Sequence, residues 1–281
     1  MCATCGCGQD EVRISSASDE GGTTYSLIDG HPDHAHDHHH DHAHGQEHGH
    51  DHHPHSHADA DGHRHARADG RTTLDIEEAV LARNDHLAEH NRTWLQHNGI
   101  RAVNLMSSPG AGKTSLLERT IREHDGEICV IEGDQETQFD ADRIRDAGAR
   151  AVQVNTGAGC HLDATMVRHA LDQLVPDPGA LVFVENVGNL VCPAMFDLGE
   201  DRRVVIISVT EGDDKPLKYP HMFTAADLVV VNKIDLLPYV AFDLARCESD
   251  ARKLNPRLEM IPLSVTSGEN LAAWYAWLGD L

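Results

Sequence analysis

A mostly parallel α/β domain, with helices on both faces of its sheet, is predicted for residues 74–281, and three observations predict it. Seven short runs rich in Val, Ile and Leu alternate with longer helical stretches. The runs are apolar nearly throughout instead of at every second residue, which marks strands buried on both faces. The first run leads straight into SSPGAGKTSLLE, the form of a phosphate-binding loop that opens a helix.

The segments ahead of that domain have a different character. The chain starts MCATCGCG, with Cys2, Cys5 and Cys7 on a stretch that offers nothing to pack against. Their spacing is tight and the rest of the chain reads as cytosolic, so disulfides are a poor account. Metal ligation is the remaining role for residues 1–9. Residues 10–73 hold almost no core-forming side chains, and their centre reads HPDHAHDHHHDHAHGQEHGHDHHPHSHADADGHRH. Such a stretch cannot bury enough surface to offset its ordering entropy and is predicted to be disordered. Neutral imidazole is a good ligand for nickel, zinc and copper, so dense histidine points to metal binding. A neutral spacer or a pH-sensitive tail is the alternative use. As a flexible coil, the stretch from Cys7 to Leu74 spans about 45 Å root-mean-square, enough to carry the terminal cysteines over the folded domain.

Lys and Arg number 23 against 46 Asp and Glu, a formal charge of −23, which argues against a nucleic-acid or anionic-membrane partner. No apolar run approaches a membrane span, and no basic-then-apolar leader opens the chain. Seven cysteines, an odd number, do not form a secreted disulfide framework. The chain reads as soluble and cytoplasmic.

The domain opens with LDIEEAVLARNDHLAEHNRTWLQHNG, in which Ile76, Val80, Leu87, Trp94 and Leu95 recur at roughly helical spacing and Asn98-Gly99 supplies a stop. An amphipathic helix packed on the sheet is expected there. The strands then follow as AVNLMS, EICVIEG, RAVQVN, ALVFVE, RVVIISV, DLVVVN and EMIPLS. In such a sheet the site lies beyond the carboxyl ends of the strands.

After the first strand, Gly110, Ala111 and Gly112 let backbone N–H groups approach phosphates, and the helix opened by Lys113, Thr114 and Ser115 adds favourable partial charge. Lys113 would reach the β- and γ-phosphates and the Thr114 hydroxyl would bind Mg²⁺. The usual leading glycine of the loop is Ser107 here. Asn232, Lys233 and Asp235 end a later strand in VVVNKID. The Asp235 carboxylate can accept two hydrogen bonds from guanine, whereas adenine would turn a lone pair towards it. Ser264 and Val265, ending the last strand in PLSVTSG, complete a loop over the base. Guanine is the expected base, and GTP the nucleotide. Hydrolysis needs a further carboxylate on the Mg²⁺ side and a group that places water. Glu185 ends a buried strand in LVFVENVGN with Gly188 three residues on, and Glu132 and Asp134 end the second strand in VIEGDQET. Asp134, farther along, is the better switch residue of that pair. Each acid has a plainer use as a helix cap or solvated turn.

Four cysteines lie inside the domain. Cys129 falls in an apolar strand and Cys247 on a helix, which makes them packing residues. Cys160 and His161 are adjacent in NTGAGCHLDAT, and Cys192 follows Glu185 by seven residues in NLVCPAM. Three such ligands in two loops on one edge of the sheet suit zinc or nickel, one short of a full shell.

Taken together, MCATCGCG, the histidine tract, NLMSSPGAGKTSLLE, IEGDQET, GCHLDA, ENVGNLVCPA, TEGDDKPLKYP and NKIDLL resemble the hydrogenase nickel-incorporation GTPase family of the HypB type. The resemblance covers essentially the whole chain, and Ser107 matches the family's own pattern. It implies a slow P-loop GTPase that helps load Ni²⁺ into NiFe-hydrogenase. It implies that Cys2, Cys5 and Cys7, with the terminal amine, form a tight nickel site. It also implies that Cys160, His161 and Cys192 form a nickel or zinc site at the interface of a GTP-dependent homodimer. Lys215 and Lys218 are expected near the nucleotide or a partner. The partners it implies are a small zinc-containing nickel chaperone of the HypA type and the precursor of the hydrogenase large subunit.

Overall fold

All seven apolar runs become parallel strands of one sheet. The structure, a computed structural model, describes residues 12–15, 23–25, 73–134, 139–157 and 159–281. Two short strands, β1 (Val12–Ser15) and β2 (Thr23–Tyr25), precede helix α1 (Thr73–His97). The chain continues through β3 (Arg101–Ser107), α2 (Lys113–Glu123), β4 (Ile128–Asp134), α3 (Phe139–Ala147), β5 (Arg150–Asn155), α4 (Ala164–Leu174) and β6 (Leu181–Glu185). It ends with β7 (Arg202–Ser208), α5 (Lys215–Lys218), α6 (Pro220–Ala225), β8 (Leu228–Asn232), α7 (Leu244–Leu254), β9 (Glu259–Pro262) and α8 (Leu271–Gly279). Spatial order in the sheet is β2-β1-β5-β4-β6-β3-β7-β8-β9. The strand that carries the phosphate loop therefore lies centrally, between β6 and β7.

Residues alternate between the two faces of the sheet. Val103, Leu105, Val130, Phe183, Ile206 and Val230 pack under α2, α3 and α8. On the opposite face, Ala102, Ile131, Val152 and Val182 meet α1 and α4, while Val205, Ile207, Val229 and Val231 meet α6 and α7. Burying about 25 cal/mol per Å² on both faces is what selects the continuous apolar runs.

Two expectations are corrected. The region 10–73, expected to be disordered throughout, contributes β1 and β2 to the sheet edge: β1 runs antiparallel to β5, pairing Arg13 with Asn155 and Ile14 with Val154. The cause is an open edge of backbone donors and acceptors together with one apolar anchor, because the Ile14 side chain is buried. The second correction concerns α1. Its buried stripe is Asn84, Ala88, Asn91 and Leu95, while Val80 is half exposed. The asparagines bind backbone instead of packing: Asn84 accepts from the Ala164 N–H at 2.9 Å and donates to the Asp197 carbonyl at 2.8 Å. Asn91 donates to the carbonyls of Ala164 at 2.8 Å and Leu198 at 3.0 Å. The expected stop holds, since Gly99 adopts φ +63 just after the helix. Cys2, Cys5, Cys7 and the histidine tract lie outside the described residues. No helix among the described residues is long and apolar enough to cross a membrane.

Candidate nucleotide and metal site

The loop between β3 and α2 is shaped by its glycines. Gly110 and Gly112 hold φ +76 and +103, and a Cβ on Gly112 would stand 2.4 Å from Asn232 Nδ2. Only glycine tolerates both the left-handed backbone and that approach. Gly112 caps α2 without a side-chain hydrogen bond, so the first-turn N–H groups face the loop as an anion cradle. Ser107 replaces the customary glycine without strain: it has no positive φ, and its buried hydroxyl donates to the Ser108 carbonyl at 2.7 Å.

Asn232, at the end of β8, ties three segments together. Its Nδ2 donates to the Ala111 carbonyl at 2.9 Å, and its Oδ1 accepts from the N–H groups of Lys233 at 2.7 Å and Val265 at 3.2 Å. Lys233 adopts φ +65 and reaches back so that Nζ donates to the Gly110 carbonyl at 2.7 Å. The Ser264 hydroxyl donates to Asp235 Oδ1 at 2.5 Å and accepts from the Ser267 N–H at 3.1 Å. The expected base-reading carboxylate is thus oriented by the expected base-covering loop.

A cleft of about 520 Å³ opens over the phosphate loop, lined by Gly110, Lys113, Thr114, Ser115, Asp134, Gly188 and Lys233 among others. At its floor the Thr114 hydroxyl donates to Glu185 Oε1 at 2.6 Å, and Lys113 Nζ lies 3.9 Å from the same oxygen. Glu185 is fully enclosed. Burial raises its pKa, with Lys113 and the Thr114 hydrogen bond opposing. Glu132, register partner of Glu185 on β4, is pushed up to about 9, first by burial and then by Glu185, Asp134 and Asp140. Glu132 Oε2 and Glu185 Oε2 are both buried and have no hydrogen-bond partner among the described residues. Two neighbouring carboxyls with unpartnered oxygens, next to a threonine hydroxyl, fit the all-oxygen demand of Mg²⁺. Asp134, the last residue of β4, is half-buried at the rim.

The metal candidates converge as well. Cys160, His161 and Cys192 offer ligand atoms that all lie within 4.8 Å of one another, the only such trio among the described residues. The two Sγ atoms are 3.0 Å apart, and Cys160 Sγ is 3.7 Å from His161 Nδ1. The His161 ring stacks on Phe196 at 3.9 Å between centroids, and burial lowers its pKa, which favours the neutral, ligating form. Cys129 and Cys247 are fully buried, as packing residues should be.

Three features had no signal in the sequence strong enough to single them out. Asn186, directly after Glu185, accepts on Oδ1 from the Leu162 N–H at 3.2 Å and its own neighbour Val187 at 3.0 Å, so it spans from the cleft floor to the residue after His161. Glu211 accepts from the Ser108 hydroxyl and from the Ser208 N–H at 3.1 Å, and Lys215 Nζ lies 2.9 Å from it. Lys215 is thereby linked to the phosphate loop, whereas Lys218 pairs with Asp214, four residues before it, at 2.7 Å. The third is the meeting of Glu132 with Glu185, which depends on strand register alone.

The CobW/HypB/UreG nucleotide-binding domain family matches residues 101–262. Hydrogenase maturation factor HypB of Rhizobium leguminosarum bv. viciae is 56% identical over 207 residues, covering 73% of this chain and 69% of that protein. The protein of the same name from Escherichia coli K12 is 54% identical over 210 residues, covering 74% and 72%. Among solved structures, HypB from Helicobacter pylori in complex with nickel superposes with a TM-score of 0.68 at 38% identity, covering 70% of this chain and 94% of that one. HypB from Archaeoglobus fulgidus gives a TM-score of 0.66 at 43% identity, covering 71% and 98%.

Proposed function

The chain belongs to the CobW/HypB/UreG nucleotide-binding family, in its HypB-type branch, and from that premise we propose that it is a GTP-hydrolysing nickel metallochaperone assisting Ni²⁺ insertion into NiFe-hydrogenase. One observation carries the reading: Glu185, bonded to Thr114 at 2.6 Å on the cleft floor, is joined to the metal candidate Cys192 by the single stretch NVGNLV. Nucleotide chemistry and metal ligation share one segment.

In this reading the α2 N-terminus and Lys113 hold the phosphates, and Asp235, steadied by Ser264, selects guanine over adenine. Thr114 and Glu185 would hold Mg²⁺, with Asp134 at the rim on the same side. When bound, Mg²⁺ would neutralise charge on the phosphates. Asp134 positions the attacking water, and Lys113 meets charge that builds on the β- and γ-oxygens. Nickel is cargo: Cys2, Cys5 and Cys7 take it tightly, and Cys160, His161 and Cys192 take nickel or zinc in a site completed by a GTP-driven homodimer. The HypA-type chaperone and the hydrogenase large-subunit precursor are the partners, in the cytoplasm.

The test has two arms. The purified chain should turn over GTP, and not ATP, only when Mg²⁺ is present; equal ATP turnover, or none of either, overturns the enzymatic assignment. A strain lacking the protein should lose hydrogenase activity and regain it with added nickel. Urease is assayed alongside, because a Helicobacter pylori relative 41% identical over 203 residues is named for both enzymes. Loss of urease alone would overturn the hydrogenase assignment.

A further inference from the structure

Helix α1 presents two histidines on the face opposite the sheet. His86 and His90 are one turn apart, and their Nε2 atoms face each other at 3.3 Å, with the rings edge-on at 85°. We propose that this pair is a bidentate imidazole site for a borderline divalent ion of the zinc or nickel kind, separate from the cysteine ligands. The argument is geometric. Zinc–imidazole bonds of about 2.05 Å put two nitrogens about 3.3 Å apart on a tetrahedral edge, and about 2.9 Å apart at a right angle. The pair already stands at the first separation and reaches the second by a small side-chain rotation. Side chains four residues apart on a helix are neighbours, so both ligands come pre-positioned by one rigid turn. Much of the ordering entropy that a flexible coil must lose on chelation is already spent here.

The surroundings fit exchange better than storage. Both rings are exposed, leaving the remaining coordination positions to water or an incoming ligand. His90 and His97 border a neighbouring hollow of about 430 Å³ whose wall is Trp94 with Arg168 stacked on it, 4.5 Å from guanidinium to ring centroid. The pair is also bracketed by Asn84 and Asn91, which grip the N–H and carbonyl of Ala164, three residues beyond His161. A metal clip over residues 86–90 thus sits on the turns of α1 that hold the start of α4. It gives the chain a labile landing point on the folded domain, in the same ligand chemistry as the histidine tract.

The experiment uses the full chain and a readout that resolves single histidines. Diethylpyrocarbonate modification is quantified by mass spectrometry on the peptide containing His86 and His90, with Zn²⁺, with Ni²⁺ and without metal. His124 and His169 serve as internal references. At a free metal concentration ten times the dissociation constant, modification of both should fall roughly tenfold by mass action. In His90→Ala, an exposed helix position where alanine is well tolerated, His86 should lose that protection while circular dichroism stays unchanged. Unprotected histidines in the parent chain overturn the proposal. So does undiminished protection of His86 in His90→Ala, which would mean that imidazoles elsewhere supply the second ligand.

Discussion

Glu132 and Glu185 are register partners on the adjacent parallel strands β4 and β6, and both side chains are buried beneath Thr114 and Lys113 of the phosphate loop. Lys113 lies 3.9 Å from Glu185, yet burial and the neighbouring acids still raise Glu132, so the metal-free protein keeps a proton there.

That proton makes stability depend on pH with a definite sign. Glu132 is raised from 4.5 to about 9 by burial and by its acidic neighbours. Below the lower value folded and unfolded chains are both protonated; between the two values only the folded chain is. Stability therefore falls as pH rises through that interval, with a limiting slope of about 1.4 kcal/mol per pH unit. Urea midpoints measured in chelator from pH 5 to 9 should show this fall. Glu132→Gln should flatten it, and an unchanged slope in that variant would remove Glu132 as its source.

Gly112→Ala places a methyl where Asn232 Nδ2 stands and asks alanine for φ +103. The left-handed strain alone costs about 1–3 kcal/mol. Displacing Asn232 also frees Ala111 and Val265. Guanine-nucleotide affinity should fall at least about tenfold, since 1.4 kcal/mol is one decade, and calorimetric titration with GDP measures it. Parent-like affinity would show that Asn232 yields without consequence.

Asn186 joins the cleft to the metal loop through Leu162, so nucleotide state and metal affinity should be coupled. Nickel and zinc titrations with GDP and with a non-hydrolysable GTP analogue should give different affinities, and bound metal must shift nucleotide affinity by the same factor. Asn186→Ala should shrink that factor. It leaves the Leu162 N–H unpaired, at a cost of about 1–3 kcal/mol in stability. Equal metal affinity in both nucleotide states would make the trio a static site.

The terminal cysteines should outrank the histidine tract in affinity, because a compact set of thiolates loses less freedom per ligand than scattered imidazoles. In a nickel competition titration, Cys2→Ala combined with Cys5→Ala should erase the tightest binding event and leave the weaker ones. Its survival would move the tight site elsewhere.

Much of the fold was legible because buried parallel strands advertise themselves as unbroken apolar runs, and the phosphate loop and NKID segment carry their chemistry in local order. Association across the sheet was not. Glu132 and Glu185 meet through register, and no hydrophobic count reveals a register between strands 53 residues apart in numbering, from 132 to 185. The docking face of α1 was misread for a related reason: Asn84 and Asn91 bind backbone groups of α4 and the 197–198 turn, so the buried stripe is polar at half its positions. β1 is held by main-chain pairing with β5, which every residue type but proline can supply in full, and by the one buried side chain of Ile14.

That edge strand changes how the metal-rich segments are tethered. Val12 lies one position beyond the Arg13–Asn155 pair, at the carboxyl end of β5, the end from which the chain runs on to Cys160 and His161. Cys7 precedes Val12 by five residues, and a fully extended chain gains at most about 3.6 Å per residue. The leash from the sheet to the last terminal thiol is therefore no longer than about 18 Å, far short of the span of a free coil from Leu74. The histidine tract, for its part, is pinned at Tyr25 and again at Thr73. Both ends of that stretch of sequence are therefore fixed to one folded domain, β2 through its pairing with β1 and Thr73 at the start of α1.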